Sequence, residues 1–227
     1  MSNYLVEVKV WGKYACFTRP ENKVERLSYP IITPSAAVGV LEAIYWKPEF
    51  HWEITEIGVL PHPARNGIVD WENYMPITLN ELATDGQTHP QDGYNLAQHR
   101  VQRTCLILRW PCYLIRARVN IFPGADTNAM AIHRQFSDRV RKGQCYHQPS
   151  FGLREFTVYF SEVSDIDRSY IDNSGKHEHR QYITTGDLGM ILHSYTLSPI
   201  SKQVEYKFVP LKITRNKFSV EILEGMS

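Results

Sequence analysis

Residues 33–60, TPSAAVGVLEAIYWKPEFHWEITEIGVL, change their apolar spacing midway, and that change sets the fold class. In the first half Ala37, Val40, Leu41, Ile44 and Tyr45 recur at the period of one helical face. Thr33 offers a capping hydroxyl and Pro34 suits the first helical position, so a helix is predicted over about 34–46. It must stop before Pro48, whose ring disfavours helical geometry in the residue ahead of it. Beyond the proline, FHWEITEIGVL (50–60) returns to strand-like alternation. Upstream, LVEVKV (5–10) sets Val6, Val8 and Val10 on one face and Glu7 and Lys9 on the other, as a half-buried strand does. The opening of the chain therefore reads strand, loop, helix, strand.

Further along, RTCLILRW and CYLIRARVNI, separated near Pro111, read as two paired strands. Residues 127–142 space Met130, His133, Phe136 and Val140 as a helix and end at Gly143, a C-cap residue. REFTVYF (154–160) alternates Phe156, Val158 and Phe160 as a strand, and VEYKFVPLKI is a last strand-like segment. Residues 61–97, broken by Pro61, Pro63, Gly67, Pro76, Gly86, Pro90 and Gly93, read as an irregular acidic insertion or one with a short hairpin. The element order predicts an α+β, ferredoxin-like βαββαβ body with insertions. That fold is a frequent platform for single-stranded RNA, because an open sheet face can present aromatic rings to bases.

A chain of 227 residues, 43% of them hydrophobic, can bury a sizeable core. It has no run of 18 uncharged apolar residues and its start lacks a basic region followed by an apolar one, which argues against a membrane span and a secretory signal. Cys16, Cys105, Cys112 and Cys145 form no C-x-x-C pair, so neither a zinc knuckle nor a disulfide framework is suggested and a reducing cytoplasm fits best. The net charge is only +1, but it is segregated. Residues 98–142 carry Arg100, Arg103, Arg109, Arg116, Arg118, Arg134, Arg139, Arg141 and Lys142 against Asp126 and Asp138, whereas 48–97 carry eight acids against Arg65. Arginine matches phosphate with two parallel donors, so the block reads either as a polyanion track or as solvated faces.

No paired carboxylates, H-x-x-x-H zinc spacing or phosphate-cradling Walker motif are present. His177, Glu178 and His179 could ligate metal by composition, yet in a polar turn beside Ser174 and Gly175 they read as a solvated loop. GQCYHQPSFG (143–152) is a glycine-bounded loop that can lie against another backbone, with Tyr146 and Phe151 able to stack on bases; such a connection also needs no ligand.

The stretches VKVWGKYACFTRPENKVERLSYPIITPSAAVGVLEAIYWKP, RVQRTCLILRWPCYLIRAR and FSDRVRKGQCYHQPSFGLREFTVYF resemble the CRISPR-associated Cas-five family in its "d" variant, which belongs to subtype I-C. The resemblance implies a ferredoxin-like RNA-binding body over 1–163 and a smaller C-terminal β-rich portion over 164–227. It further implies an endoribonuclease that recognises the repeat hairpin of precursor CRISPR RNA and cuts at its 3′ base without metal or other cofactor. The enzyme then stays on the 5′ handle of the guide RNA inside the surveillance complex, beside the backbone and large subunits. In the implied reaction a ribose 2′-hydroxyl attacks the adjacent phosphorus, so the protein handles a proton, steadies negative charge and holds the attack in line.

The family's tyrosine matches Tyr45, with Trp46 expected to be packing. The Lys-His pair that the family places upstream of the G-Q-C loop falls, by ungapped counting, on Ala131 and Ile132. Either the register is off by one and His133 is the general base or acid, or the site is rearranged; charge stabilisation then falls to Arg134 or to Lys47. Arg19, Lys23 and Arg26, together with Arg100, Arg103, Arg134, Arg141 and Lys142, are the expected RNA-backbone contacts, with Tyr146 and His147 in the adjoining loop. The alternative is a non-catalytic subunit capping the guide RNA, and the positive block permits non-specific double-stranded DNA binding with either.

Overall fold

In the computed structural model, residues 4–22, 25–65, 73–82, 100–172, 186–197, 204–214 and 217–220 are described. The chain forms β1 (Leu5–Trp11), β2 (Tyr14–Ala15), α1 (Pro34–Ile44), β3 (Phe50–Val59), a single 3-10 turn (Pro63–Arg65), β4 (Tyr74–Leu82), β5 (Arg100–Arg109) and β6 (Cys112–Ile121). Then follow α2 (Ala129–Lys142), β7 (Tyr159–Ser161), α3 (Asp165–Asp172), β8 (Gly186–Leu197), β9 (Val204–Thr214) and β10 (Lys217–Ser219). Among the described residues seven strands make one sheet, in the order β7-β1-β6-β3-β10-β9-β8, and β2-β5-β4 make a second.

The first four strands of the large sheet are the ferredoxin-like core. β1 runs antiparallel to β6 and β7, and β3 antiparallel to β6, so α1 crosses over β6 to join two parallel strands. The valines predicted to share a face do so: Val6, Val8 and Val10 are buried together with their partners Ala117, Ile115 and Tyr113 of β6. Val40, Leu41 and Ile44 of α1 and Ile132, Phe136 and Val140 of α2 close this core, the two helices packing side by side. On the opposite face, Glu7 and Lys9 reach α3, where Lys9 Nζ meets Asp167 Oδ1 at 2.6 Å. Gly58 of β3 lets α3 approach, since a Cβ there would collide with the Ile171 side chain.

The starts of α1 and α2 follow local rules. Thr33 Oγ1 accepts from the Ala36 amide at 3.1 Å, and Asn128 Oδ1 accepts from the Ala131 amide at 2.7 Å. Gly143 ends α2 in the left-handed region at φ 63°. α1 ends at Ile44, short of the predicted 46, because Tyr45 is already extended at φ −151° and ψ 118° and its carbonyl is taken by the Trp52 indole at 3.1 Å.

Three strand expectations are corrected. β5 and β6 do not pair: β6 is flanked by β1 and β3, while β5 lies between β2 and β4. The chain leaves one sheet for the other at Trp110, which sits at φ 54°. The 61–97 stretch contains β4, nine residues long and paired with β5 along its whole length, while 66–72 and 83–97 lie outside the described residues. β7 spans only Tyr159–Ser161, because the preceding backbone bonds within its own loop: Phe151 N–H donates to Phe156 and Val158 N–H to Pro149. After 164 the β-rich portion continues the large sheet, with β10 bridging β3 and β9, while β8 packs on α1. No helix among the described residues is long and apolar enough to cross a membrane.

Candidate active site and nucleic-acid interface

The C-terminus of α1 is where the structure gathers the chemistry. Once Tyr45 leaves the helix for an extended conformation, successive side chains alternate sides. Tyr45 turns inward, 3% exposed, and Trp46 turns outward, 52% exposed, followed by exposed Lys47. The expectation that Trp46 packs is thus overturned by the backbone change at residue 45.

Tyr45 is held on three sides. Its ring lies 5.8 Å from that of Phe50, and the Arg139 guanidinium sits 5.0 Å from its centroid. Its hydroxyl donates to Gln135 Oε1. Arg139 Nη1 also donates to the Ile44 carbonyl at 2.9 Å, tying the last turn of α1 to α2. Gln135 and Arg139 are four residues apart, so both project from one flank of α2.

The loop after α2 hangs from the same turn. The Ala43 carbonyl accepts from the amides of Tyr146, at 2.8 Å, and His147, at 3.2 Å. Farther along, Gly152 adopts φ 82° where a Cβ would strike the Cys16 carbonyl, so the loop is closely fitted to the body. Tyr146 stands 76% exposed, with its ring 5.8 Å from the His147 ring. Phe151, expected to be available for stacking, is fully buried between Phe17 and Tyr113. Tyr45, Lys47, Lys142, Tyr146 and His147 therefore share one region, joined by Trp46, Gln135 and Arg139, whereas Arg141, two residues beyond Arg139, faces the other flank of α2 and pairs with Asp138.

Other predicted site residues lie elsewhere. His133 is two residues from Gln135, about 200° around the helix, and so faces the opposite flank of α2. There its ring is 6.1 Å from that of Tyr4, and it lines a cleft of about 460 Å³ with Glu7, Ser137, Glu162 and Arg168. Arg134 is exposed on the outer side of α2. Arg19 covers the Tyr29 ring at 4.7 Å and approaches Glu21 at 3.8 Å. Arg26 is half-buried and its carbonyl accepts from Leu106 N–H; Arg103 is half-buried on β5. Lys23, the Arg100 side chain and the His177–Glu178–His179 group lie outside the described residues.

Two arginines of the positive block belong to the framework. Arg109 donates twice to Asn73, at 3.2 and 2.9 Å. Arg116 reaches Glu7 at 2.8 Å, Glu56 at 2.5 Å and Asp172 at 3.2 Å. Burial pushes the Cys112 thiol up to about 12, which leaves it no thiolate for nucleophilic work. Among the described residues no group of three or more His, Cys, Asp or Glu is placed to hold a metal ion.

Gln135 goes unmarked in the sequence, and Arg139 stands there only as one arginine of the positive block. Their i, i+4 spacing on α2 was readable, but their proximity to Tyr45 depends on how the two helices dock.

Comparison with known proteins agrees with this fold. The family model for the CRISPR-associated protein Cas5, in its Cas5d form, matches residues 5–221. A Thermus thermophilus protein named CRISPR pre-crRNA endoribonuclease Cas5d is 41% identical over 190 residues, covering 76% of this chain and 77% of that protein. A Mannheimia succiniciproducens protein of the same name is 38% identical over 194 residues, covering 83% of each. In fold, the chain resembles a crystal structure of a CRISPR-associated protein, with a TM-score of 0.64 at 20% identity and coverage of 96% of this chain and 91% of that one. It also resembles a chain of a CRISPR RNA-guided surveillance complex, with a TM-score of 0.50 at 16% identity and coverage of 93% and 91%. The family match along nearly the whole chain, together with the two relatives, places this protein in the Cas5 family as a member of its d variant.

Proposed function

We propose that the protein is a pre-crRNA endoribonuclease of subtype I-C. In this reading it recognises the repeat hairpin, cuts at its 3′ base without metal, and stays on the 5′ handle as a subunit of the surveillance complex with the backbone and large subunits. The observation that carries the reading is the Tyr45 phenol, fixed between α1 and α2 by Gln135 and Arg139 beside a surface bearing Lys47 and Lys142. The names of the two relatives support the substrate.

The RNA supplies its own nucleophile. The 2′-hydroxyl oxygen bonds to phosphorus as the bond to the 5′ oxygen breaks, giving a 2′,3′-cyclic phosphate and a 5′-hydroxyl. Tyr45 donates its proton to Gln135, so the lone pairs of its oxygen are left to orient the 2′-hydroxyl. Arg139, whose nearest partners are a ring and a carbonyl, supplies positive charge where the phosphorane gains negative charge. Lys47 and Lys142 hold neighbouring phosphates. His147, on the loop bound to Ala43, takes the proton-transfer role that was expected of His133.

The test is incubation of the pure protein with its own repeat RNA in EDTA. Expected is a single cut with a 5′-hydroxyl product, and a Tyr45→Phe variant slower by about 10²-fold at unchanged RNA affinity. Bound but intact RNA would instead support the non-catalytic handle-binding subunit, a reading favoured by the placement of His133 away from Tyr45.

A further inference from the structure

Two large aromatic rings near buried Tyr45 stand in water. Trp46 is 52% exposed and Tyr146 is 76% exposed, while Tyr45, Phe50 and Trp52 are 3%, 2% and 3% exposed. Single exposed rings are ordinary on protein surfaces. What sets these two apart is that the backbone beside each is held at the end of α1, next to the buried tyrosine. The Tyr45 carbonyl, next to Trp46, is bonded by the Trp52 indole, and the Tyr146 amide is bonded to the Ala43 carbonyl. Exposed Lys47 and Lys142 lie close by along the chain and at the end of α2. Ring faces offered to solvent among cations are what single-stranded nucleic acid uses, with bases stacking on the rings and phosphates lying along the charges.

We infer that Trp46 and Tyr146 are base platforms for the two nucleotides flanking the scissile phosphate, so the site takes an unpaired step of RNA at its cut. The inference rests on the endoribonuclease reading of the Tyr45 region. A base inside a duplex has both faces covered by its neighbours, and only a splayed base can lie on a protein ring. Splaying also serves the chemistry. In a stacked A-form step the 2′-hydroxyl lies off the line through phosphorus and the leaving 5′ oxygen, and turning the flanking bases apart swings it toward that line. Trp46 therefore acts on the chemical step as well as on binding. Because every base has a π-face, the platforms tolerate base identity at the cut and favour larger purine rings.

The experiment uses the repeat RNA with 2-aminopurine at the nucleotide on either side of the cut, blocked by a 2′-deoxy sugar before the scissile phosphate. Expected is quenching of both reporters on binding, lost at one position in Trp46→Ala and at the other in Tyr146→Ala, and kept in Trp46→Phe. On cleavable RNA, Trp46→Ala lowers kcat about tenfold with an unchanged salt slope, since no phosphate contact is removed. Reporters that stay quenched in both alanine variants, or a Trp46→Ala defect confined to KM, would overturn the inference. Should the wild-type protein bind but never cut unblocked RNA, the endoribonuclease reading fails while the reporters still decide whether the rings are platforms.

Discussion

Arg116 and Arg139 come from the same positive stretch of sequence, and the fold gives them opposite surroundings. Arg116, on the α3 face of the sheet, bonds Glu7, Glu56 and Asp172 and so joins β1, β3, β6 and α3. Arg139, on the helical face, bonds a backbone carbonyl and covers the Tyr45 ring. Three carboxylates neutralise the first guanidinium and leave nothing for a phosphate. The second keeps its charge, because a carbonyl and a ring orient it without cancelling it. A count of positive residues along the chain cannot separate these roles, since the acids that silence Arg116 lie on other elements.

This contrast can be broken experimentally, beginning where the effect is largest. Arg116→Ala should leave Glu7, Glu56 and Asp172 facing one another and cost about 3 kcal/mol, read as a lower urea midpoint. Cleavage by the molecules that remain folded should be unaffected, and a specific loss of catalysis would show that the two regions are not separate. Arg139→Ala should invert the pattern, with a rate lower by about 10²-fold in single-turnover cleavage and a stability change of only about 1 kcal/mol.

Acid should attack the first region and spare the second. Burial alone would raise the Glu7 carboxyl from its ordinary 4.5, but hydrogen bonds from Arg168 and Arg116 outweigh it and hold the group lower. Asp167 is likewise held below 3.8, where hydrogen bonds from Lys9 and Ser164 overcome burial. The hydrogen bond from Arg116 lowers Asp172 below 3.8 as well. Carboxyls with lowered folded-state values stabilise the fold above their ordinary values and lose that contribution as pH falls through the lowered ones. The contribution of these carboxyls should therefore be intact down to about pH 5 and lost below about 4, so that over this acid range the urea midpoint falls more steeply in the wild type than in Arg116→Ala. A midpoint insensitive to acid would mean that these pairs contribute little.

The smallest effect concerns exposed cations. Lys142→Ala should weaken RNA binding only a few-fold and reduce the salt slope by about one, without moving the cut. An unchanged slope would remove Lys142 from the phosphate track.

Much of the framework could be read before any coordinates. The valines of β1, the threonine cap of α1 and the left-handed glycine after α2 all matched, because each depends on residues within one turn or on strand alternation. The misread parts were non-local. RTCLILRW carried every mark of a strand, but nothing in it named β4 rather than β6 as its neighbour. Phe151 looked available in a loop and proved to be core, because Phe17 and Tyr113 arrive from distant segments.

The YWKP stretch divides the two kinds of information. By itself the sequence determined that a helix must end there, since Pro48 acts on its immediate neighbour, and the motifs around it pointed to the Cas5 family. Only the tertiary structure decided which ring goes in and which goes out. Tyr45 meets Gln135 and Ile44 meets Arg139 across separations of 90 and 95 residues, contacts that exist only once α1 and α2 have docked on the same sheet. Local rules act through neighbouring backbone and are written in order along the chain, whereas the site is made by distant side chains that the packed core brings together.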